Sequence, residues 1–219
     1  MTIRIAHLYY DIMNLYGEIG NIKVLRYHLE EQGIKVIVDN LSINDEIDFN
    51  KYDLLYMGCG TKDSMLNALN DLRRYKDDLK KYIEDYKYVL FTGNSIDILS
   101  KTIFTDIEID GLNIFNYNTR FISNRIVSDV ILDDIVGFQN RETIIENNKY
   151  PIFTSLDLGT HYKNFYGTYI IGPILARNPM FLEHFIKELV TSKNKKFKFK
   201  KFDLQLDKKA RKSYMETYH

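Results

Sequence analysis

Cysteine is almost absent from this sequence, because Cys59 is the only one in 219 residues. A single thiol excludes an internal disulfide and is compatible with a reducing compartment. The five histidines and the cysteine show no spacing typical of metal ligands. Neither a Walker A loop nor a GxGxxG motif occurs. We therefore predict no metal, nucleotide or other cofactor in this chain.

Long apolar runs and an N-terminal targeting segment are also missing. No stretch of about 18 apolar residues occurs, so no membrane-spanning helix is expected. Residues 1–6 lead directly into a strand pattern, without the apolar region of a signal peptide. We therefore expect a cytoplasmic protein.

The chain has no excess of either charge, with 30 basic and 30 acidic side chains. Nucleic acid is therefore not an expected partner of the chain as a whole. The charge is unevenly distributed, however. Residues 193–219 contain ten Lys or Arg and three Asp or Glu, a difference of +7, which leaves −7 for residues 1–192. We predict a main domain over 1–192 and a basic C-terminal extension over 193–219.

Three interpretations of this extension stay open. It is an appendage that docks a partner, an arm that folds back onto its own acidic body, or a contact for nucleic acid or anionic lipid. Phe197, Phe199 and Phe202 alternate with its lysines, and residues 205–217 have the pattern of a short helix.

The remaining sequence alternates strand and helix patterns. Strands are predicted at 3–9, 34–38, 53–58 and 87–92, and helices at 19–32, 63–85 and 179–190. Such alternation predicts an α/β fold of three layers with a mainly parallel central sheet. Residues 106–171 favour short strands and turns at Gly111 and Gly137, which suits an antiparallel extension of that sheet.

Four segments in sequential order resemble the motifs of a known family. They read LYYDIMNLYGEIGNIKVLRYHLEEQGIKV (8–36), DLLYMGCGTKD (53–63), GFQNRET (137–143) and HYKNFYGTYIIGPILARNP (161–179). The family patterns are approximately LYPDxMNxYGDxGNI, GGGxDRE, GFENHGG and GTYxHGPxLxRNP. The chain is thus similar to the class I glutamine amidotransferases of the cobyric acid synthase type, which have a flavodoxin-like fold. It is most similar to the branch of amidotransferase subunits of lipid II isoglutaminyl synthase.

The family's nucleophile position holds no thiol in this chain. The family has a strand that runs into CGGYQLLGK, whereas residues 88–101 read YVLFTGNSIDILSK. Gly93 or Thr92 takes the position of the cysteine, depending on how the two segments are aligned. A hydroxyl such as that of Thr92 could attack an amide only with an adjacent base.

The family's general base is missing as well. Ile171 stands where the pattern has histidine, and a hydrocarbon side chain cannot accept a proton. The resemblance therefore implies a degenerate site with no intact catalytic residue. It also implies a non-catalytic or partner-dependent subunit of an amidating synthetase, whose other chain is Mur-ligase-like and carries the nucleotide chemistry.

Two other functions stay open at this point. One is a binding module for a small amide or carboxylate, and the other is an amidohydrolase with altered chemistry. Cys59 could be a relocated nucleophile in that enzyme, although a small buried residue at a tight turn is the plainer interpretation. The candidate ligand-binding residues are Gly58, Cys59, Gly60, Asn94, Arg120 and Asn140.

Overall fold

The structure, a computed structural model, describes residues 1–132 and 134–218. Its strands form two sheets, and in chain order they are β1 (Thr2–Leu8), β2 (Lys35–Leu41), β3 (Leu54–Met57), β4 (Tyr88–Thr92), β5 (Thr102–Phe104), β6 (Glu108–Asp110), β7 (Asn118–Ile131), β8 (Val136–Glu146), β9 (Pro151–Ile152), β10 (Ser155–Tyr162) and β11 (Phe165–Thr168). The helices are α1 (Ile19–Glu31), α2 (Lys62–Leu72), α3 (Lys76–Glu84), α4 (Ile174–Arg177), α5 (Pro179–Lys193) and α6 (Gln205–Tyr218).

The main sheet has the strand order β2-β1-β3-β4-β11-β10-β9 among the described residues. Strands β1 to β4 and β11 pair in parallel, and β10 and β9 extend the edge in antiparallel fashion. Within the parallel part, β3 directs Leu55 and Met57 to one hydrophobic core and Leu54 and Tyr56 to a second core on the opposite face. Burial on both faces explains why such strands read as continuous apolar runs.

The helices begin and end at residues with a clear local cause. The Thr61 hydroxyl caps α2 by accepting a hydrogen bond from the Ser64 amide at 3.1 Å. Pro179 begins α5, where its missing N–H costs nothing. The predicted helix over 63–85 is interrupted, because a 3₁₀ turn at Arg73–Tyr75 separates α2 from α3. None of the helices over the described part of the chain has the length and apolarity to cross a bilayer.

The antiparallel region matches its prediction in part, since β9 and β10 extend the main sheet as expected. Strands β7 and β8 are 14 and 11 residues long rather than short, and with β5 and β6 they form a separate four-stranded sheet. Gly137 lies inside β8 and not in a turn. A Cβ there would lie 2.1 Å from Ile170 Cγ2, so the glycine permits close packing of β8 on the segment that follows β11.

The C-terminal extension folds back onto the body. Phe197, Phe199 and Phe202 pack against the core under α1 and α5, and Leu204 is only 4% exposed. The Lys200 amide donates to Gln32 Oε1 at 2.8 Å. Of the three interpretations of this segment, the structure has the arm that folds back onto its own body. The division into a domain over 1–192 and an extension over 193–219 stays a prediction.

We expect the aromatic side chains of this arm to stabilise the whole protein. Phe199→Ala and Phe202→Ala should each lower the free energy of unfolding by about 1–2 kcal/mol, since each ring is partly buried. Lys198→Ala, at the exposed position just before Phe199, is the control and should change the free energy of unfolding little. Urea unfolding followed by circular dichroism measures the difference. Equal effects at all three positions would contradict the packing role.

Candidate functional site

The turn that follows β4 brings three separate chain segments together at Gly93. Gly93 has φ of +63°, in the left-handed region, and opens a 3₁₀ helix over Gly93–Leu99. A Cβ at this position would lie 2.5 Å from Cys59 Cβ, 2.7 Å from Cys59 Sγ and 3.2 Å from Ile171 Cγ2. The space that a side chain at position 93 would need is therefore filled by Cys59.

The Cys59 thiol is poorly suited to nucleophilic attack. The residue is 4% exposed, and its Sγ contacts the Gly60 carbonyl oxygen at 3.8 Å. Burial raises the pKa of the Cys59 thiol to about 12, so the reactive thiolate is scarce at neutral pH. No histidine lines the cavity beside it in the part of the chain that the structure describes.

The glycine loop after β3 is closed by Asn94. The Gly60 amide donates to Asn94 Oδ1 at 2.9 Å, and Asn94 Nδ2 donates to the Gly60 carbonyl at 2.9 Å. This reciprocal pair uses a backbone N–H that would otherwise be available to a ligand. Gly58 is needed for close packing, since a Cβ there would lie 2.5 Å from the Met13 carbonyl oxygen.

Ile171 is part of the packing beneath the site. It is 1% exposed, and its amide donates to the Phe138 carbonyl at 2.8 Å, which joins the turn after β11 to β8. Its side chain faces Gly93. Position 171 therefore contributes a hydrocarbon surface and a backbone hydrogen bond, and no proton acceptor.

A buried carboxylate that the sequence did not single out lies at the centre of this region. Glu18 is fully buried, and its Oε1 accepts a hydrogen bond from the Gly172 amide at 2.8 Å. Its Oε2 accepts from the Thr92 hydroxyl and, at 3.3 Å each, from Asn21 Nδ2 and the Tyr56 hydroxyl. Burial raises the pKa of Glu18 to about 7. The only sequence signal was an acidic residue inside the YGEIGN motif.

A second buried carboxylate, Asp97, lies within the 3₁₀ helix that begins at Gly93. It accepts hydrogen bonds from the Tyr169 hydroxyl at 2.5 Å and the Thr143 hydroxyl at 2.9 Å. Burial raises the pKa of Asp97 to about 7. The Arg141 guanidinium lies over the Tyr169 ring at 4.4 Å from its centroid.

A cavity of about 220 Å³ opens beside these groups. Four of the six predicted ligand-binding residues line it, namely Cys59, Gly60, Asn94 and Asn140. Lys62, Arg125 and Arg141 line it as well, and sequence reasoning did not place them there. A larger open groove of about 760 Å³ lies between α5 and the C-terminal arm and includes none of these residues.

Arg120 lies away from this cavity, contrary to the expectation that it approaches the cleft. Its Nε donates to Glu146 Oε1 at 2.8 Å and its Nη2 to Glu146 Oε2 at 3.2 Å. Its guanidinium also stacks over the Phe104 ring. The position results from the register of β7, where the ladder with β8 is interrupted between Phe121 and Ile126.

Comparison with known proteins identifies relatives over most of the chain. Residues 4–179 match the sequence model of the CobB/CobQ-like glutamine amidotransferase domain. The lipid II isoglutaminyl synthase (glutamine-hydrolyzing) subunit GatD of Streptococcus pneumoniae is 30% identical over 197 residues, covering 80% of this chain and 76% of that protein. The Staphylococcus aureus subunit of the same name is 29% identical over 230 residues, covering 95% and 93%.

A solved structure supports the fold independently. The crystal structure of a glutamine amidotransferase from Thermotoga maritima superposes with a TM-score of 0.51 at 12% identity, over 99% of this chain and 93% of that one. At this identity the likeness concerns the fold alone. The predicted α/β fold with a mainly parallel sheet is thereby confirmed.

Glu18 and Asp97 should make stability fall as the pH rises. Their pKa values are about 7 in the folded chain, above the ordinary 4.5 and 3.8. The folded state therefore retains protons that the unfolded chain releases. This stabilisation is complete below about pH 4 and is lost as the pH rises through about 7, with about 3 kcal/mol from Glu18 and about 4 kcal/mol from Asp97.

This pH dependence can be tested by comparing the wild-type chain with Glu18→Gln. Both are unfolded with urea at a series of pH values between about 4 and 7. Glutamine cannot ionise, so the fall in stability with pH should shrink by about 3 kcal/mol. Glu108→Gln, at an exposed position of β6, is the matched control and should leave the profile unchanged. An unaltered profile for Glu18→Gln would contradict the assignment.

The packing of Cys59 against Gly93 can be measured with a pair of glycine substitutions. Gly33→Ala introduces a Cβ at φ of +77° into open space, so it should cost about 1 kcal/mol from backbone strain alone. Gly93→Ala adds the overlap with Cys59 and should cost about 1–3 kcal/mol more.

Cys59→Gly combined with Gly93→Ala should recover the additional loss, because it removes the overlapping atoms. Chemical denaturation of the four proteins gives the comparison. Equal costs for Gly33→Ala and Gly93→Ala would show that the side chain of Cys59 does not fill this space.

Proposed function

Because the chain belongs to the CobB/CobQ-like glutamine amidotransferase family, we propose that it is a subunit of an amidating synthetase that keeps this fold and does not itself hydrolyse glutamine. The observation that carries the proposal is the filled space at Gly93. Glutamine hydrolysis in this family requires a thiol at that turn, and the position has no side chain and no room for one beside Cys59. The facing position holds Ile171 instead of a base.

Cys59 is not a substitute for the missing nucleophile. Its thiol is buried, its pKa is raised to about 12 by burial, and Ile171 offers no proton acceptor beside it. A thiol in this state is mostly protonated at neutral pH, and covalent catalysis requires the thiolate.

Thr92 is the specific observation in favour of an altered hydrolase. Its hydroxyl donates a hydrogen bond to Glu18, a carboxylate with a raised pKa of about 7, which is the arrangement of a nucleophile and a base. Thr92 is fully buried, however, and it does not line the cavity. A substrate carbonyl therefore cannot reach its Oγ1, and the pair is better explained as a structural link between β4 and α1.

The proposed partner is the Mur-ligase-like synthetase chain that the family resemblance implies. The relatives from Streptococcus pneumoniae and Staphylococcus aureus are themselves named as subunits, and their enzyme acts on lipid II. This sequence contains no nucleotide-binding loop, so an ATP-dependent step would belong to the partner. On this proposal the chain acts in the cytoplasm on a cell-wall precursor through that partner.

We expect no glutaminase activity from the purified chain, with or without its partner. Glutamate release from L-glutamine should equal the buffer background, and neither Cys59→Ala nor Thr92→Ala should change it. Release above background that either substitution abolishes would overturn the proposal in favour of an active enzyme.

A reversion experiment tests the physical reason for this inactivity. Gly93→Cys with Ile171→His should stay inactive and be destabilised, because Cys59 still occupies the space of the new side chain. Adding Cys59→Gly should restore stability to the double variant. A double variant that is as stable as the triple variant, or that hydrolyses glutamine, would contradict the blocking role of Cys59.

The partner itself can be sought by affinity purification of the full chain from its native lysate. A Mur-ligase-like chain should be recovered in about equal amount, and mass spectrometry identifies it. A 1–192 truncation serves as the comparison, since loss of the partner from it assigns docking to the C-terminal arm. Recovery of no such chain by either protein would contradict the subunit proposal.

A further inference from the structure

We propose that the cavity beside Gly60 binds a small oxyanion, a carboxylate or a phosphate, through Arg141 and Lys62. The inference concerns ligand binding by this chain and goes beyond the proposed role as a synthetase subunit. It depends on the charges that line the cavity and on its size.

Arg141 is a buried cation that forms no direct ion pair with any acid in the described part of the chain. The residue is 7% exposed, yet it lines the cavity. Its Nε donates to Gln139 Oε1 and its Nη1 to the Thr143 carbonyl, both at 2.9 Å, and both of these acceptors are neutral. Among the described residues no Asp or Glu lies within ion-pair distance of it. Buried charges are normally paired, so an anion is the missing group.

Asp97 is a buried acid near Arg141, and it forms no direct ion pair with the guanidinium. Asp97 accepts hydrogen bonds from Tyr169 and Thr143, and these two residues separate it from the Arg141 guanidinium. Burial raises the pKa of Asp97, and the positive charge of Arg141 lowers it by a smaller amount, so the two groups interact without a direct ion pair. The Arg141 guanidinium, which lines the cavity, is therefore available to an anion there.

Lys62 contributes a second cation to the same cavity. Its ammonium group lies 4.7 Å from the centroid of the Phe121 ring, and none of the described acids forms an ion pair with it. The third cation, Arg125, is already engaged, because it donates to Asn140 Oδ1 and pairs with Glu142. After this pairing, Lys62 and Arg141 line the cavity without an ion pair to any acid that the structure describes.

The cavity selects for a small ligand. Its volume of about 220 Å³ is below the roughly 300–1,000 Å³ of typical drug-sized pockets. Cys59 and Asn94 line it and close the route toward Gly93, so a ligand rests against the cations without reaching the turn. Charge-assisted hydrogen bonds from guanidinium and ammonium groups to an oxyanion are the strong interactions available there.

Two departures from the family pattern point in the same direction. Lys62 stands where the pattern GGGxDRE has aspartate, and Arg141 stands where GFENHGG has histidine. Both replacements add positive charge to one cavity, and the negative charge added by Glu142, where the pattern has glycine, is paired with Arg125. They are separate from the replacements at positions 93 and 171.

Ligand binding by the full chain can be measured with glutarate, its neutral diamide glutaramide, and inorganic phosphate, by calorimetry at constant ionic strength. Glutarate and glutaramide match in size and differ in charge. We expect glutarate or phosphate to bind with a dissociation constant in the millimolar range or below, and glutaramide to bind at least about tenfold more weakly. Preference for glutarate over phosphate assigns the site to carboxylates, and the reverse preference assigns it to phosphates.

Substitutions locate the site. Arg141→Gln and Lys62→Asp should each weaken binding of the preferred anion about tenfold or more. Arg120→Gln is the matched control, because Arg120 is exposed, paired with Glu146 and outside the cavity. Lys62→Asp changes an exposed side chain, so it keeps the test valid if Arg141→Gln fails to fold.

Two results would overturn the inference. One is that neither glutarate nor phosphate binds more tightly than the neutral glutaramide. The other is a loss of affinity in Arg120→Gln as large as in Lys62→Asp. Its failure is distinct from failure of the proposed function, since glutamate release and partner recovery are measured without these probes.

Discussion

The carboxylate of Glu18 joins the three segments on which the rest of the site depends. It is held between the start of α1, the end of β4 at Thr92 and the turn at Gly172. A fully buried carboxyl is costly unless hydrogen bonds surround it, and here four donors do so. Removing one segment would leave the others with unsatisfied groups. These hydrogen bonds therefore hold the end of β4 and the turn at Gly172 in position, independently of any catalytic reaction.

Cys59 and Gly93 form a close packing contact at the turn that follows β4. Gly93 has the left-handed backbone of a sharp strand-to-helix turn. Its missing side chain leaves a space that would be a cavity in the core, and the Cys59 side chain fills it. A larger residue at position 93 would therefore require a smaller one at position 59. Close packing of this kind stabilises the turn in its present shape.

The sequence predicted the parallel sheet well, because its strands are buried on both faces and read as apolar runs. It predicted the candidate ligand residues only in part. Arg120 and Arg125 lie five residues apart on one strand, and the irregular register between Phe121 and Ile126 decides which of them reaches the cavity. Such a register shift has no local signature in the sequence. Glu18 escaped notice because burial of a carboxylate depends on partners from distant segments.

The C-terminal arm is connected to the same site, although its sequence suggested a separate appendage. The Tyr214 ring lies 4.4 Å from the Arg177 guanidinium, which donates a hydrogen bond to the Gly172 carbonyl. The Gly172 amide in turn donates to Glu18. Arg211 reaches Asn178 at 2.5 Å, so α6 is attached to the segment that follows this turn. These contacts are polar, whereas the phenylalanines of residues 194–204 supply apolar burial. A partner that displaced α6 would therefore act on the Gly172 turn and, through it, on the carboxylate that holds the strand ends together.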